Sequence, residues 1–251
     1  MKISIITVVF NAVKTIADTI ESVNAQTHSN IEYIVVDGGS TDGTQEIIAR
    51  NKSDISKFVT GPDNGIYDAM NKGLGLATGE IIGFLNSDDV YANRCVLGQV
   101  ADTIARNDLD ALFGDVEIIT AKAASLDRSL RTYRGKRFRP ERIAWGWMPA
   151  HPALFLHRRV YDHFGSFRTD YRIAGDFELV ARIFYGGTLT YQYLPEVLVR
   201  MRSGGVSTGG WRNTLLLNQE VLRACRENGI RTNMLKILSK YPAKLMEFIH
   251  L

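Results

Sequence analysis

Cysteine is nearly absent from this chain: Cys95 and Cys225 are the two in 251 residues. They lie far apart in helix-like surroundings and match no metal-binding or redox spacing. A disulfide-stapled scaffold is excluded, and a reduced cytosolic chain is the simpler reading. No apolar run of about 18 residues occurs, so no membrane-spanning helix is expected. Met1 to Thr7 runs straight into strand-like sequence, without the features of a secretory signal. Internal repeats and low-complexity tracts are missing too. The net charge, +3, is too small to point to nucleic acid as a partner.

What remains is an ordinary apolar and charged balance, at a length that buries a sizeable core without staples. The first hundred residues alternate strand and helix signals. Ile3 to Phe10 is a near-continuous β-branched run, as in a strand buried on both faces. Val13, Ile16, Ala17, Ile20 and Val23 recur at helical spacing. Ile31 to Val36 predicts a second strand, followed by a helix carrying Ile47 and Ile48 that Thr44 or Asp42 can cap. Phe58-Val59 is a short third strand. A helix over Ile66 to Ala77 and a strand over Ile81 to Leu85 follow. Farther on, the spacing predicts a helix over 93–107, strands at 111–113, 116–120 and 153–156, a helix over 174–185 and two C-terminal helices.

Such alternation implies parallel strands with helices on both sheet faces, and ligands beyond the carboxyl ends of the strands. Asn11, Asp37 to Asp42, and Asn86-Ser87-Asp88-Asp89 each follow directly after a strand, so three polar loops converge on one sheet edge. Asp88 suits a hard divalent cation whose remaining ligands come from a diphosphate, with Asp89 behind it or toward a ribose. The plainer alternative is that Ser87, Asp88 or Asp89 caps a following helix. Asp37 can accept from a base or ribose, and Gly38 and Gly39 permit close backbone approach; an Asx-type turn is the alternative. Asp63 can cap the helix that ends near Asn71 and Lys72, and a helical lysine usually marks a solvated face. Asp176 is either a helix cap or a general base for an acceptor hydroxyl. Trp147 and His151 offer a wall for a sugar ring or are simply core.

Taken together, Ile5 to Asn11, Glu32 to Thr44, Asp63 to Gly73 and Ala77 to Asp89 resemble the family 2 glycosyltransferases. The similarity is dense over residues 1–89 and thinner to about 208. The resemblance implies an α/β GT-A fold and inverting transfer of a sugar from a nucleoside diphosphate, UDP being the commonest, with Mg²⁺ or Mn²⁺. It places Thr7, Asn11, Asp37, Gly38, Asp63, Asn71, Lys72, Asn86 and Ser87 around the donor, Asp88 on the metal and Asp176 as the base. Trp147, His151 and Asp89 fall to the acceptor. Asn86 departs from the pattern, since many members carry aspartate there. Arg202 to Ser207 resembles a loop near the donor phosphates.

The corresponding division is a catalytic domain over 1–208, with a donor half at 1–110 and an acceptor half at 111–208, and a helical extension over 209–251. A glycan or polyprenyl-linked acceptor in bacterial surface-polysaccharide synthesis is the expected setting, in the cytoplasm at the inner membrane face. Two features bear on that membrane. One is the basic run Arg128, Arg131, Arg134, Lys136, Arg137, Arg139 and Arg142. The other joins Leu235, Ile237, Leu238, Leu245, Met246, Phe248 and Ile249 with Lys236, Lys240 and Lys244. A solvated loop and an amphipathic face packed on its own domain are the plainer readings. A homo-oligomer is also entertained. A nucleotidyltransferase is disfavoured because Asn11-Ala12-Val13-Lys14 lacks a glycine-rich signature; a non-catalytic binder is disfavoured because Asp88 and Asp176 are both present.

Overall fold

The computed structural model describes residues 1–120, 129–204 and 210–241. Arg128, the Gly205-Val206-Ser207 part of the donor loop, and Lys244, Leu245, Met246, Phe248 and Ile249 lie outside them.

Strand β1 (Ile3–Val9) is buried throughout. It pairs in parallel with β2 (Ile31–Asp37) on one side and β4 (Ile81–Phe84) on the other, while β3 (Lys57–Thr60) pairs in parallel with β2. Their registers bring Val9, Asp37 and Thr60 level at one end. Helices α1 (Ile16–Asn24), α2 (Thr44–Arg50) and α3 (Ile66–Leu76) are the crossovers. Side chains alternate across the sheet: Ile6, Val8, Ile34 and Val36 pack on one face with α3, whereas Ile3, Ile5, Val9 and Tyr33 pack on the other with α1.

The second half departs from parallel order. Beyond β4 come β8 (Leu154–His157), β6 (Ala111–Ile119), β9 (Tyr191–Arg202) and β5 (Val90–Tyr91), with β7 (Ser129–Tyr133) beside β6. Only the β6–β9 pair is parallel here; β4–β8, β6–β8, β6–β7 and β5–β9 are antiparallel. The sheet is therefore mixed, parallel where nucleotide-binding loops are expected and antiparallel after them. The two strands expected at 111–113 and 116–120 are one strand, whose pairing with β9 shifts register at Asp115.

The later helices are α4 (Val96–Asn107), α5 (Arg158–Phe164), α6 (Gly175–Phe184), α7 (Trp211–Glu227) and α8 (Met234–Leu238). α7 packs on α6, and α8 packs on α7 and the 3-10 turn Pro140–Trp145. Ile237 of α8 is fully buried, whereas Leu235 is exposed.

Candidate functional site

At the ends of β1 and β2 the polar loops bind one another. Asn11 adopts the left-handed backbone region, φ 50°, which asparagine tolerates better than most residues. Its Oδ1 accepts from the Thr41 amide at 2.9 Å and its amide donates to Ser40 Oγ at 2.8 Å. Asp37 is buried, and accepts from the Gly39 and Ser40 amides, Gln45 Nε2 and Thr60 Oγ1. The protein itself thus occupies this carboxylate, and Asp37 builds the loop. Helix α2 starts on Asp42, which accepts from the Thr44 amide and hydroxyl; Thr44 is the first helical residue and not the cap.

Beside this loop, Phe10 stands 65% exposed at the strand end. Gly38 separates its ring from Asp63. A Cβ added at Gly38 would come within 2.8 Å of Asp63 Oδ2 and 3.4 Å of the Phe10 ring. An exposed aromatic face and a carboxylate across bare backbone can take a planar base, by stacking and by accepting its N–H. Asp63 does not cap α3, whose N-cap is Gly65. It pairs with Lys72 at 2.5 Å, and Lys72 also meets Asp68 and the Pro62 carbonyl.

The acidic loop follows β4. The helix-capping alternative fails here, because β5 and not a helix comes next. Asn86 Nδ2 donates to Asp89 Oδ2 at 2.9 Å, and Asp89 is fully buried with Oδ1 lacking a partner among the described residues. Burial raises the pKa of both carboxyls, with the Asp88 charge pushing Asp89 up further. The buried Arg202 donates to the Asp88 carbonyl at 2.9 Å and pairs with Asp18 of α1 at 2.5 Å. Thr19 Oγ1 donates to the Asp89 carbonyl at 2.9 Å. Arg202 and Thr19 thus hold the backbone carbonyls of the acidic loop in place.

Asp176 lies in the first turn of α6, partly exposed, its Oδ1 accepting from the Phe177 amide at 2.8 Å and 3.4 Å from the Tyr67 hydroxyl. Burial raises its pKa, against the opposing pull of His151; burial lowers that of His151. A series of ring contacts joins this carboxyl to β4. Tyr67 stacks on Phe167, which meets Phe84 edge-on, and the His151 ring lies 5.5 Å from Phe84 and 5.8 Å from Phe167. Phe84 is the last residue of β4, so Asp176 and the acidic loop share one aromatic wall.

Residues 4–165 match the family described as Glycosyl transferase family 2. The chain belongs to that family. Its mycobacterial relatives include a PGL/p-HBAD biosynthesis glycosyltransferase of Mycobacterium bovis, 30% identical over 85% of this chain and 80% of that protein. Among solved structures, S. aureus TarS 1-349 in complex with UDP-GlcNAc superposes with a TM-score of 0.69 at 18% identity, over 89% of this chain and 66% of that one. A Pyrobaculum calidifontis mannosyltransferase in complex with GDP-Man and Mn²⁺ gives 0.62 at 20%, over 88% and 64%. This glycosyltransferase spans 40% of the longer TarS chain, with a TM-score of 0.66 at 20% identity over 88% of its own length. Those likenesses establish the α/β GT-A fold.

Within the glycosyltransferase, two further expected donor residues, besides Asp37, have their polar groups engaged by the fold. Thr7 is buried inside β1, its Oγ1 accepting from the Tyr33 hydroxyl, because odd-numbered β1 side chains face the α1 layer. Asn71 spends its amide on the Phe167 backbone, donating at 2.8 Å and accepting at 3.0 Å. Sequence reasoning missed Phe10, although an aromatic residue at a strand end beside Asn11 was the available signal. Trp147 is half-buried, and its amide donates to the Arg142 carbonyl.

Proposed function

We propose that this glycosyltransferase transfers a hexosyl or N-acetylhexosaminyl group from a UDP-sugar to a hydroxyl of a glycan or polyprenyl-linked acceptor, with inversion, in bacterial surface-polysaccharide synthesis. The observation that carries the reading is the shared wall joining the acidic loop after β4 to Asp176. The base sits between Phe10 and Asp63, and the diphosphate lies along the Asn86–Asp88 loop. The Asp176 carboxylate takes the acceptor O–H proton. The freed oxygen forms its bond to the anomeric carbon while the carbon–oxygen bond to the diphosphate breaks, and the electron pair leaves with the nucleoside diphosphate. His151 lines the acceptor side. Residues 1–110 then serve the donor, 111–208 the acceptor, and 209–251 form an extension.

The acidic loop fits a divalent metal. Asp89 Oδ1 is buried without a partner among the described residues, and no cluster of three or more His, Cys, Asp or Glu occurs there. One or two carboxylates completed by phosphate oxygens is how Mg²⁺-type ions are commonly bound. Asp88 would hold Mg²⁺ or Mn²⁺, backed by Asp89, and the ion supplies Lewis-acid stabilisation of the leaving diphosphate. Calorimetry with UDP-GlcNAc tests this: Mn²⁺ should tighten binding at least about tenfold in the wild type and not in Asp88→Ala. Equal Mn²⁺ enhancement in both would remove Asp88 from the metal.

No helix of the described residues is long and apolar enough to cross a membrane. Peripheral association with an anionic leaflet is supported by the exposed Trp211, Leu215 and Leu235 beside Arg212 and Lys236.

A further inference from the structure

The segment that delivers Asp176 is irregular between Phe164, which ends α5, and Gly175, which opens α6. Its shape is imposed from outside, chiefly by α7. Glu220, buried on that helix, accepts three consecutive backbone amides: Arg172 on Oε1 at 2.8 Å, and Ile173 and Ala174 on Oε2 at 2.9 and 2.8 Å. Arg223 donates to the Asp170 carbonyl at 3.1 Å and pairs with its carboxylate. Glu227 accepts from the Tyr171 hydroxyl at 2.7 Å and from Arg168 at 2.8 Å. Residues 220, 223 and 227 form one stripe at helical spacing, and all of it grips residues 168–174.

The opposite side is closed by α3. Tyr67 donates its hydroxyl to the Ile173 carbonyl at 2.6 Å, and its ring covers Gly175 so closely that a Cβ there would lie 2.7 Å from it. The Ile173–Ala174 peptide is thus held by a carboxylate on its amide side and a phenol on its carbonyl side. Asp176 follows immediately, and the Tyr67 hydroxyl is the one side-chain donor near its Oδ1 among the contacts described.

Resting on the reading of Asp176 as the base, we propose that Glu220 and Tyr67 are positioning residues, which clamp the Arg172–Ala174 backbone from α7 and α3 and so aim the Asp176 carboxylate at the acceptor. Helix α7 then belongs to the catalytic apparatus without touching substrate. A carboxylate accepting several amides makes strong charge-assisted bonds, and a misplacement of about 1 Å at a reacting group costs on the order of 10²-fold in rate. Glu220→Gln keeps the side chain's size but turns an amide donor toward amide donors; Tyr67→Phe keeps the ring and loses the hydroxyl.

Two measurements on the full chain test the proposal. The first is release of UDP from UDP-GlcNAc with Mn²⁺, water serving as acceptor, across pH. The second needs no substrate: a ¹³C titration of the Asp176 carboxyl, its resonance assigned by its loss in Asp176→Asn. Glu32→Gln, at the far end of the sheet, is the control for lost stability. We expect Glu220→Gln and Tyr67→Phe to lower kcat by about 10- to 100-fold with donor KM unchanged. The acidic limb of the pH profile and the Asp176 titration should both move by about half a pH unit or more, while Glu32→Gln leaves them in place. Should Glu220→Gln fail to fold, Tyr67→Phe decides alone. If Asp176→Asn turns over normally, the base assignment falls and this proposal with it. If Asp176→Asn is inactive while both other variants keep wild-type kcat and titration, the clamp alone is overturned. If UDP-GlcNAc is not turned over by the wild type, the titration decides, and an unmoved Asp176 resonance overturns the clamp.

Discussion

With Asp176 as the proposed base, its carboxyl carries a conflict between stability and chemistry. Burial raises its pKa, so the folded chain binds that proton more tightly than the unfolded one. Stability therefore falls as pH rises from the ordinary carboxylate range through the raised value, and the penalty is full above it. Asp176→Asn should lose transfer yet raise Tm at pH 7 by roughly 1–3 °C, an advantage that vanishes by about pH 4; calorimetric scans at both pH values check this. A lower Tm for the variant at pH 7 would contradict the account. Next to it, Gly175→Ala puts a methyl into the Tyr67 ring. Overpacking of that kind costs about 1–3 kcal/mol, measurable by urea denaturation, and kcat should drop at least tenfold as Asp176 shifts. The sequence made it legible that Asn11 and Asp88 follow strands and that Asp176 lies at a helix start, since polar residues in such places are visible in one dimension. It could not show that Asp37 is saturated by its own loop, or that Asn71 is spent on the Phe167 backbone. Both depend on partners brought in by folding, for Asn71 from 96 residues away.

Among the elements, β2 carries a buried carboxylate whose pH dependence has the opposite sign to that of Asp176. Glu32 lies near the start of β2, at the end of the sheet away from the acidic loop. Burial pushes its pKa up, but hydrogen bonds from Ser4, Thr78 and Lys57 prevail and hold it well below the usual range. Its contribution is present above the unfolded carboxylate pKa and is lost as pH falls through the depressed folded value. Glu32→Gln should cost about 1–3 kcal/mol at pH 7, read by urea denaturation, with kcat unchanged; a kcat loss would show that the two ends of the sheet are coupled. The boundaries of β1, β2, β4 and α3 were legible because each is an apolar run closed by a turn signal. β9 was not: Pro195 and Glu196 interrupt it, its first half is only partly buried, and its partner β6 lies 80 residues away at the Ala111–Tyr191 pair. α5 escaped because seven residues are too few to establish a helical period and no Ser, Thr, Asp or Asn precedes it as the cap signal that marked the equally short α2.

For the molecule as a whole, the proposed function divides donor and acceptor between the parallel and mixed parts of a single sheet. A soluble donor can reach such an edge from bulk water, whereas a lipid-linked acceptor requires the protein to come to a surface. The exposed Trp211, Leu215 and Leu235, with Arg212 and Lys236 nearby, should make binding to anionic vesicles measurable at low salt and weaker at high salt. Co-sedimentation with phosphatidylglycerol vesicles checks it, and recovery of all the protein in the supernatant at low salt would remove the membrane from the proposal. One link spans the whole chain. Arg202, the final residue of β9, fastens both the loop after β4 and helix α1. A nascent polypeptide leaving the ribosome therefore lacks its finished acidic loop until the last strand has been translated and docked.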